Sequence, residues 1–314
     1  MVSVIVCTRN RAPSLGRALQ SLAAMEIAPG VAWELIVVDN GSKDATREVV
    51  EEFAWATGLN VRYAFEAAQG ISHARNRGLR EARGEIIAFT DDDVQVDRSW
   101  LREILAEFTT DPDLALLAGR TLMLSPEKPE LSTRKSLSRT YHAFPCHPRQ
   151  IGTGNNMALR ASLPARVGTF DVALGAGSLA GSGEDTDFNY RAVRSGQKVL
   201  YSPLPLVYHD HNRASPDAHR RSRLNYMRGW GAFLCKQALR GDRWIARLLL
   251  SEMKRLIVVV FNNPQERKLT LLRLGSMLQG VLLRVGIEIQ QRLATLRNGR
   301  RGPRAGVRGG HGGQ

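Results

Sequence analysis

The sequence predicts an α/β fold in which a mostly parallel central sheet is flanked by helices, followed by a basic C-terminal helical region. Three observations predict it. Short β-branched apolar runs, Val2 to Cys7, Trp33 to Val38 and Glu85 to Thr90, alternate with amphipathic helical segments, and parallel neighbours need connections of that length. Each run ends in a polar turn: Thr8-Arg9-Asn10, Asp39-Asn40 and Asp91-Asp92-Asp93. A length of 314 residues with 43% apolar composition supports a full core, in one large domain or two smaller ones.

The elements follow in order. After the first strand comes a helical pattern with Pro13 in its first turn and Leu15, Leu19 and Leu22 on one face. The second strand ends at Asp39-Asn40-Gly41-Ser42, and Ser42 or Asp44 is placed to cap a helix running to about Ala56. Asn60 to Phe65 reads as a third strand. Ser72 is expected to cap a helix through HARNRGLREAR, with Gly84 as its terminating glycine. Glu85 to Thr90 is the fourth strand, Ser99 to Phe108 a helix, and Leu114 to Thr121 a strand. Leu124 to Gln150 reads as an irregular, partly basic loop over a site. Two glycine-rich stretches follow. The second, from Leu174, has the wrong spacing for a dinucleotide loop and no strand before it. Asp187 to Ser195 is an amphipathic helix closed by Gly196, and Lys198 to Tyr201 a strand leading towards His209-Asp210-His211.

Composition changes after Asn212. Residues 1–212 carry 23 Lys/Arg against 25 Asp/Glu, whereas residues 213–314 carry 21 against 5, so all of the +14 net charge is C-terminal. That sign favours an anionic membrane surface, a polyprenyl phosphate or nucleic acid. A 25-residue apolar stretch, LTLLRLGSMLQGVLLRVGIEIQQRL, is long enough to span a bilayer, but Arg273 and Arg284 lie inside it. A bundle helix or an interfacial helix suits it better. The expected organisation is an α/β domain at 1–212, divided at about residue 95 into halves at 1–95 and 96–212. A basic helical region at 213–297 and a disordered Arg/Gly-rich tail at 298–314 complete it. Cys7, Cys146 and Cys235 form no CxxC pair, so neither a disulfide framework nor a cysteine-rich zinc site is expected. The start, MVSVIVCTRN, lacks the pattern of a secretory signal, and a cytoplasmic protein is expected.

Ligands bind outside the carboxyl ends of strands in an open α/β sheet. The three polar strand ends therefore converge on one edge. Adjacent carboxylates raise one another's pKa unless a cation neutralises them. A solvated turn could explain Asp91 to Asp93 alone, but not its sharing an edge with two other polar groups. Oxygen ligands beside a diphosphate suit Mg²⁺ or Mn²⁺.

The motifs VSVIVCTRNR, VVDNGSKDAT, GISHARNRGL, FTDDD, GTGNNMALR and GSGEDTDF occur in the order and approximate spacing of family 2 glycosyltransferases, which the chain resembles over residues 1–212. The resemblance implies the GT-A fold and an inverting transfer from a nucleotide-diphosphate sugar, with the catalytic domain at 1–212 made of a nucleotide-sugar half at about 1–95 and an acceptor half at 96–212. It implies that Thr8 and Arg9 lie along the nucleotide, that Asp39 bonds the base, and that Arg75 and Asn76 fix the nucleotide or its phosphates. Asp93 is the implied metal ligand, with Asp91 near ribose or metal and Asp92 beside them. Glu184-Asp185 matches the acidic pair, Asp185 as base and Glu184 towards acceptor, with helix capping as the other role open to Glu184. Asp187 is read as structural. Asn155 and Asn156 follow a glycine loop that resembles the sugar or acceptor pocket, with a tight turn as the other role open to them. A late histidine completes the metal site in several such enzymes, and His211, ahead of His209, is the expected one.

The resemblance implies a hexosyltransferase of bacterial polysaccharide biosynthesis that needs Mn²⁺ or Mg²⁺. Its acceptor would be a glycan or lipid-linked saccharide, reached by peripheral contact with the anionic inner face of the cell membrane. A segment at Tyr226 to Lys236, YMRGWGAFLCK, looks like one found in some surface-polysaccharide transferases. Two other readings compete. Sugar-phosphate nucleotidyltransfer lacks its glycine-rich loop after the first strand. A nucleic-acid-binding protein lacks the expected aromatic content, at 6%, and the common RNA-binding motifs.

Overall fold

The computed structural model describes residues 1–211 and 215–299, with side chains to residue 295. The predicted tail from 298 lies almost wholly outside them. The first half runs β1 (Val2–Thr8), α1 (Ala12–Ala23), β2 (Trp33–Asp39), α2 (Thr46–Thr57), β3 (Val61–Phe65), α3 (Ile71–Glu81) and β4 (Ile86–Asp91). These strands pair in parallel in the order β3-β2-β1-β4. All seven residues of β1 are buried. Val2, Val4 and Val6 enter one core layer with Leu15, Leu19 and Leu22 of α1. Ile5 and Cys7 enter the other. Coverage of both faces is why the strand reads as a continuous apolar run.

The second half adds β5 (Val94–Val96), α4 (Trp100–Thr110), β6 (Leu114–Met123), β7 (Thr140–His142), β8 (Asn156–Arg160), α5 (Leu163–Val167), α6 (Glu184–Arg194) and β9 (Lys198–His209). Here the sheet becomes mixed. β8 lies antiparallel between β4 and β6, β9 runs parallel to β6, and β5 and β7 pair antiparallel with β9. The antiparallel strands β5, β7 and β8 and the short α5 depart from the expected elements, and β9 continues eight residues past Tyr201.

Three expected caps are corrected. Ser42 Oγ accepts from Asn10 N, and Asp44 Oδ2 accepts from Ala12 N, so both clamp the β1–α1 turn rather than cap α2 alone. Ser72 lies inside α3, its hydroxyl donating to Leu174 O. Gly84 has no positive φ; a Cβ there would sit 2.6 Å from Ser3 N, so close approach to β1 is what requires glycine.

Helices α7 (Pro216–Leu239), α8 (Arg243–Asn262) and α9 (Arg267–Gly299) follow. They pack on the sheet domain: Met227, Trp230, Phe233, Ile245, Leu256 and Met277 belong to the same hydrophobic cluster as Phe170, Phe188 and Tyr190. α9 crosses α7 so closely that a Cβ on Gly280 would lie 1.9 Å from Arg228 O. Buried ion pairs add a second tie. Lys236 Nζ bonds Asp187 at 2.7 Å and Asp171 at 2.8 Å, and Arg284 bonds Asp171 at 2.7 Å. Asp187 is thus structural, as expected. α9 is the one helix among the described residues long and apolar enough to cross a membrane. Arg284, 1% exposed and paired to the sheet domain, shows what its mid-helix charge does instead.

Candidate active site

A cleft of about 780 Å³ opens along the carboxyl ends of the strands, between the sheet and α7 to α9. Register explains why distant segments meet there. Thr8 pairs with Asp39 and Cys7 with Asp91 across the parallel strands, and Thr90 pairs with Asn156 at the start of β8. His209 closes β9 opposite Val94, just past the triplet.

The three aspartates divide between cations supplied by the chain itself. Arg11 Nη1 lies 3.0 Å from Asp92 Oδ1 and 2.7 Å from Asp93 Oδ2. Thr8 Oγ1 donates to Asp92 Oδ2 at 2.8 Å. Burial, outweighing Arg11, raises Asp92 to about 6. Asp93 is buried, yet His209 and Arg11 hold it well below the ordinary carboxylate range. Asp91 is raised by burial despite Arg75. Neutralisation of the triplet therefore does not by itself demand a metal, and Arg11 was invisible as its partner because the contact spans 81 residues.

Donor chemistry still fits a divalent cation. His209 Nδ1 is bonded to Leu131 O at 2.9 Å, which leaves Nε2 facing Asp93 Oδ1 at 3.4 Å. Burial disfavours the imidazolium, but the Asp93 bond and charge raise the His209 pKa overall. A backbone carbonyl on the far ring nitrogen is the usual support of a metal-ligating histidine. Among the described residues no three His, Cys, Asp or Glu side chains form a complete metal set. Mg²⁺ and Mn²⁺ characteristically take one or two protein ligands and complete their shell from substrate phosphates. Of the two candidate histidines, His209 lines the cleft, whereas His211 does not and turns its Nε2 to Pro129 O.

The acid pair opens α6. Glu184 is almost fully buried and accepts from Arg75 Nη1 at 2.8 Å. Burial and the neighbouring Asp185 charge raise it to about 7. Arg75 also reaches Asp91 at 3.3 Å, so one guanidinium joins the pair to the triplet. Asp185 is less buried. Gly154 N donates to its Oδ2 at 2.8 Å, and Thr186 N to its Oδ1. A carboxylate offers about four acceptor positions; Gly154 N is the one donor recorded on Oδ2, and Asp185 lines the cleft.

Thr8, Arg9, Arg75, Asp91, Asp92, Asp93, Asn155, Glu184, Asp185 and His209 all line the cleft. Four expected residues do not: His211, Asn76, Asn156 and Asp39. Asn76 is spent on the Phe170 backbone, giving Nδ2 to its O and accepting its N–H. Asn156 holds Trp100 Nε1 and the carbonyls of Arg120 and Pro205, as a strand-crossing brace. Asp39 accepts from Ser42 N and Tyr63 Oη beneath the cleft, and its neighbour Asn40 lines the wall instead. Asn155 bonds Thr121, Thr153 and Ser132 O, which fixes the loop carrying Gly154. Sequence reasoning missed Arg11, Asn40 and the arginines of the C-terminal helices.

An open α/β sheet, half parallel and half mixed, with a carboxylate-lined cleft at its strand ends and C-terminal helices over it, is the GT-A architecture. The chain belongs to glycosyl transferase family 2, whose model matches residues 3–161. It is 30% identical over 218 residues to a pre-mycofactocin glycosyltransferase of Mycobacterium tuberculosis, covering 67% of this chain but only 43% of that protein. It is 28% identical over 249 residues to the succinoglycan biosynthesis protein ExoM of Rhizobium meliloti, 79% of this chain and 75% of that one. The mannosyltransferase PcManGT of Pyrobaculum calidifontis, solved with GDP-Man and Mn²⁺, superposes with a TM-score of 0.61 at 17% identity, over 90% of this chain and 86% of that one. TarS of S. aureus with UDP-GlcNAc gives 0.60 at 20%, over 89% and 81%.

Proposed function

We propose that the chain is an inverting, metal-dependent glycosyltransferase that moves a sugar from a nucleotide-diphosphate donor to a hydroxyl of a glycan or lipid-linked saccharide in bacterial polysaccharide biosynthesis. The observation that carries this reading is the single cleft in which Arg75 joins the Glu184-Asp185 pair to the Asp91 to Asp93 triplet. Binding of GDP-Man with Mn²⁺ by PcManGT and of UDP-GlcNAc by TarS supports it.

Thr8, Arg9 and Asn40 line the part of the wall where a nucleotide would lie. Asp93 and His209, with Asp91 beside them, would hold Mn²⁺ or Mg²⁺. The bound cation would stabilise charge developing on the leaving diphosphate. Asp185 Oδ2 accepts the proton of the acceptor hydroxyl as that oxygen bonds the anomeric carbon and the bond from carbon to diphosphate breaks. One displacement from the opposite face inverts the configuration. Glu184 locks Arg75 in place, and Gly154 N aims Asp185.

The enzyme would act at the inner face of the membrane, docked peripherally through the basic helices and their exposed leucines at 250, 271 and 282. A panel of nucleotide sugars tests the activity. With Mn²⁺ present, nucleoside diphosphate release from at least one donor is expected, and indifference to every donor would refute it.

A further inference from the structure

The three helices after the sheet each place an arginine on the cleft wall: Arg223 from α7, Arg255 from α8 and Arg273 from α9. A fourth, Arg149, comes from the turn before β8 and stacks over the Trp230 ring at 4.1 Å. Arg223, Tyr226, Met227 and Trp230 lie at helical spacing, so one face of α7 forms this wall. That wall abuts the acid pair: a Cβ on Gly229 would lie 2.1 Å from Ser182 Oγ, in the loop that leads into Glu184.

Charge here is poorly balanced. Arg255 pairs with Glu252 at 2.8 Å, while among the described residues Arg223 and Arg273 form no ion pair. Burial and the Arg223 charge push Arg273 below its ordinary value. Helix capping does not account for them, because Ser215 caps α7 and Asp242 caps α8. Four guanidinium groups converge here against two carboxylates, Glu252 beside Arg149 and Arg255 and Glu266 beside Arg273; the excess positive charge is costly unless an anion joins it, and planar donor forks match phosphate. Under the proposed function the donor diphosphate would be met by the cation that Asp93 and His209 would hold. A second anion belongs to the other substrate.

We propose that Arg223, Arg255 and Arg273, with Arg149, form an anion subsite that holds a phosphate group of the acceptor beside Asp185. The assignment rests on the transferase reading above. The same helices expose Ile257, Val258 and Phe261 on α8 and Leu269 and Leu272 on α9, an apolar surface suited to the hydrocarbon chain of a lipid phosphate.

The test uses the full chain in EDTA, where metal-dependent donor binding is silent. Farnesyl phosphate, below its aggregation limit, and inorganic phosphate are titrated into wild type and Arg223→Gln/Arg273→Gln, whose folding is checked by melting. Should the double variant misfold, Arg223→Gln and Arg255→Gln singly carry the comparison. A loss of about 10-fold or more for both probes is expected, since charged hydrogen bonds are removed. Tighter wild-type binding of farnesyl phosphate assigns a lipid source, and equal binding a soluble phosphate-bearing acceptor; both support the subsite. Unchanged affinity for both probes overturns it. So does loss of binding to phosphatidylglycerol vesicles alone, which makes the arginines a membrane-facing patch. Binding of UDP and GDP with Mn²⁺ to wild type is read separately, so failure of the transferase reading is distinguishable from failure of the anion subsite.

Discussion

Replacing Glu184 with Gln tests the electrostatics of the cleft through stability rather than activity. Burial and Asp185 raise the Glu184 carboxyl from 4.5 to about 7 in the folded state. A raised carboxyl binds its proton more tightly folded than unfolded, so its contribution is fully present below pH 4.5 and is lost as pH rises through 7. Between pH 5 and pH 8 this linkage is on the order of 2 to 3 kcal/mol. Glu184→Gln is neutral throughout and lacks it. Urea unfolding of both proteins at pH 5 and pH 8 should therefore show wild type losing on the order of 2 to 3 kcal/mol relative to the variant over that interval. The Arg75 ion pair that the variant lacks forms in wild type only as Glu184 ionises, and its stabilising effect is already contained in the raised value. Parallel pH dependence in the two proteins would refute the burial argument.

The remaining expectations concern catalysis and packing. Asp185→Asn should bind nucleotide sugar with wild-type affinity but lose turnover by a factor on the order of 10² or more; normal turnover would move the base to another carboxylate. His209→Gln should raise the Mn²⁺ concentration needed for donor binding by about 10-fold or more, whereas His211→Gln should leave it unchanged. The reverse pattern would restore His211 as the ligand. Gly280→Ala should lower stability by about 2 kcal/mol or more, because its Cβ would meet Arg228 O at 1.9 Å; a melting temperature equal to wild type would mean that α7 and α9 are not so closely packed.

The parallel half of the fold was legible because β1, β2 and β4 are buried on both faces and end in turn residues, so local composition alone marks them. β8 was hidden by its two short polar ends, Asn156 and Arg160, around three apolar residues. In β9 the prolines at 203 and 205 argue against a strand. They are accommodated where its register with β6 jumps, Ala118 pairing with Tyr201 and Arg120 with Leu206. The site was legible at the level of segments: the strand ends at Thr8 and Asp91 and the Glu184-Asp185 pair do line one cleft. Individual contacts were not. Arg11 on Asp93, Gly154 on Asp185 and His209 in place of His211 depend on register across the sheet, which sequence spacing does not encode. Asn76 and Asn156 looked like ligand residues because their motif does, yet the Phe170 backbone consumes Asn76, and the Trp100 indole with the Arg120 and Pro205 carbonyls consumes Asn156. The C-terminal charge was read as a surface for anionic partners, and part of it instead turns inward onto the cleft.

The central claim is that Asp93 and the donor diphosphate share one cation in the cleft with the acid pair. It is tested most directly by titrating Mn²⁺ into wild type and Asp93→Ala at fixed nucleotide-sugar concentration while following donor binding. The account predicts metal-dependent binding in wild type and its loss in a variant that melts as wild type does. Metal-dependent binding of equal strength in both proteins would contradict it.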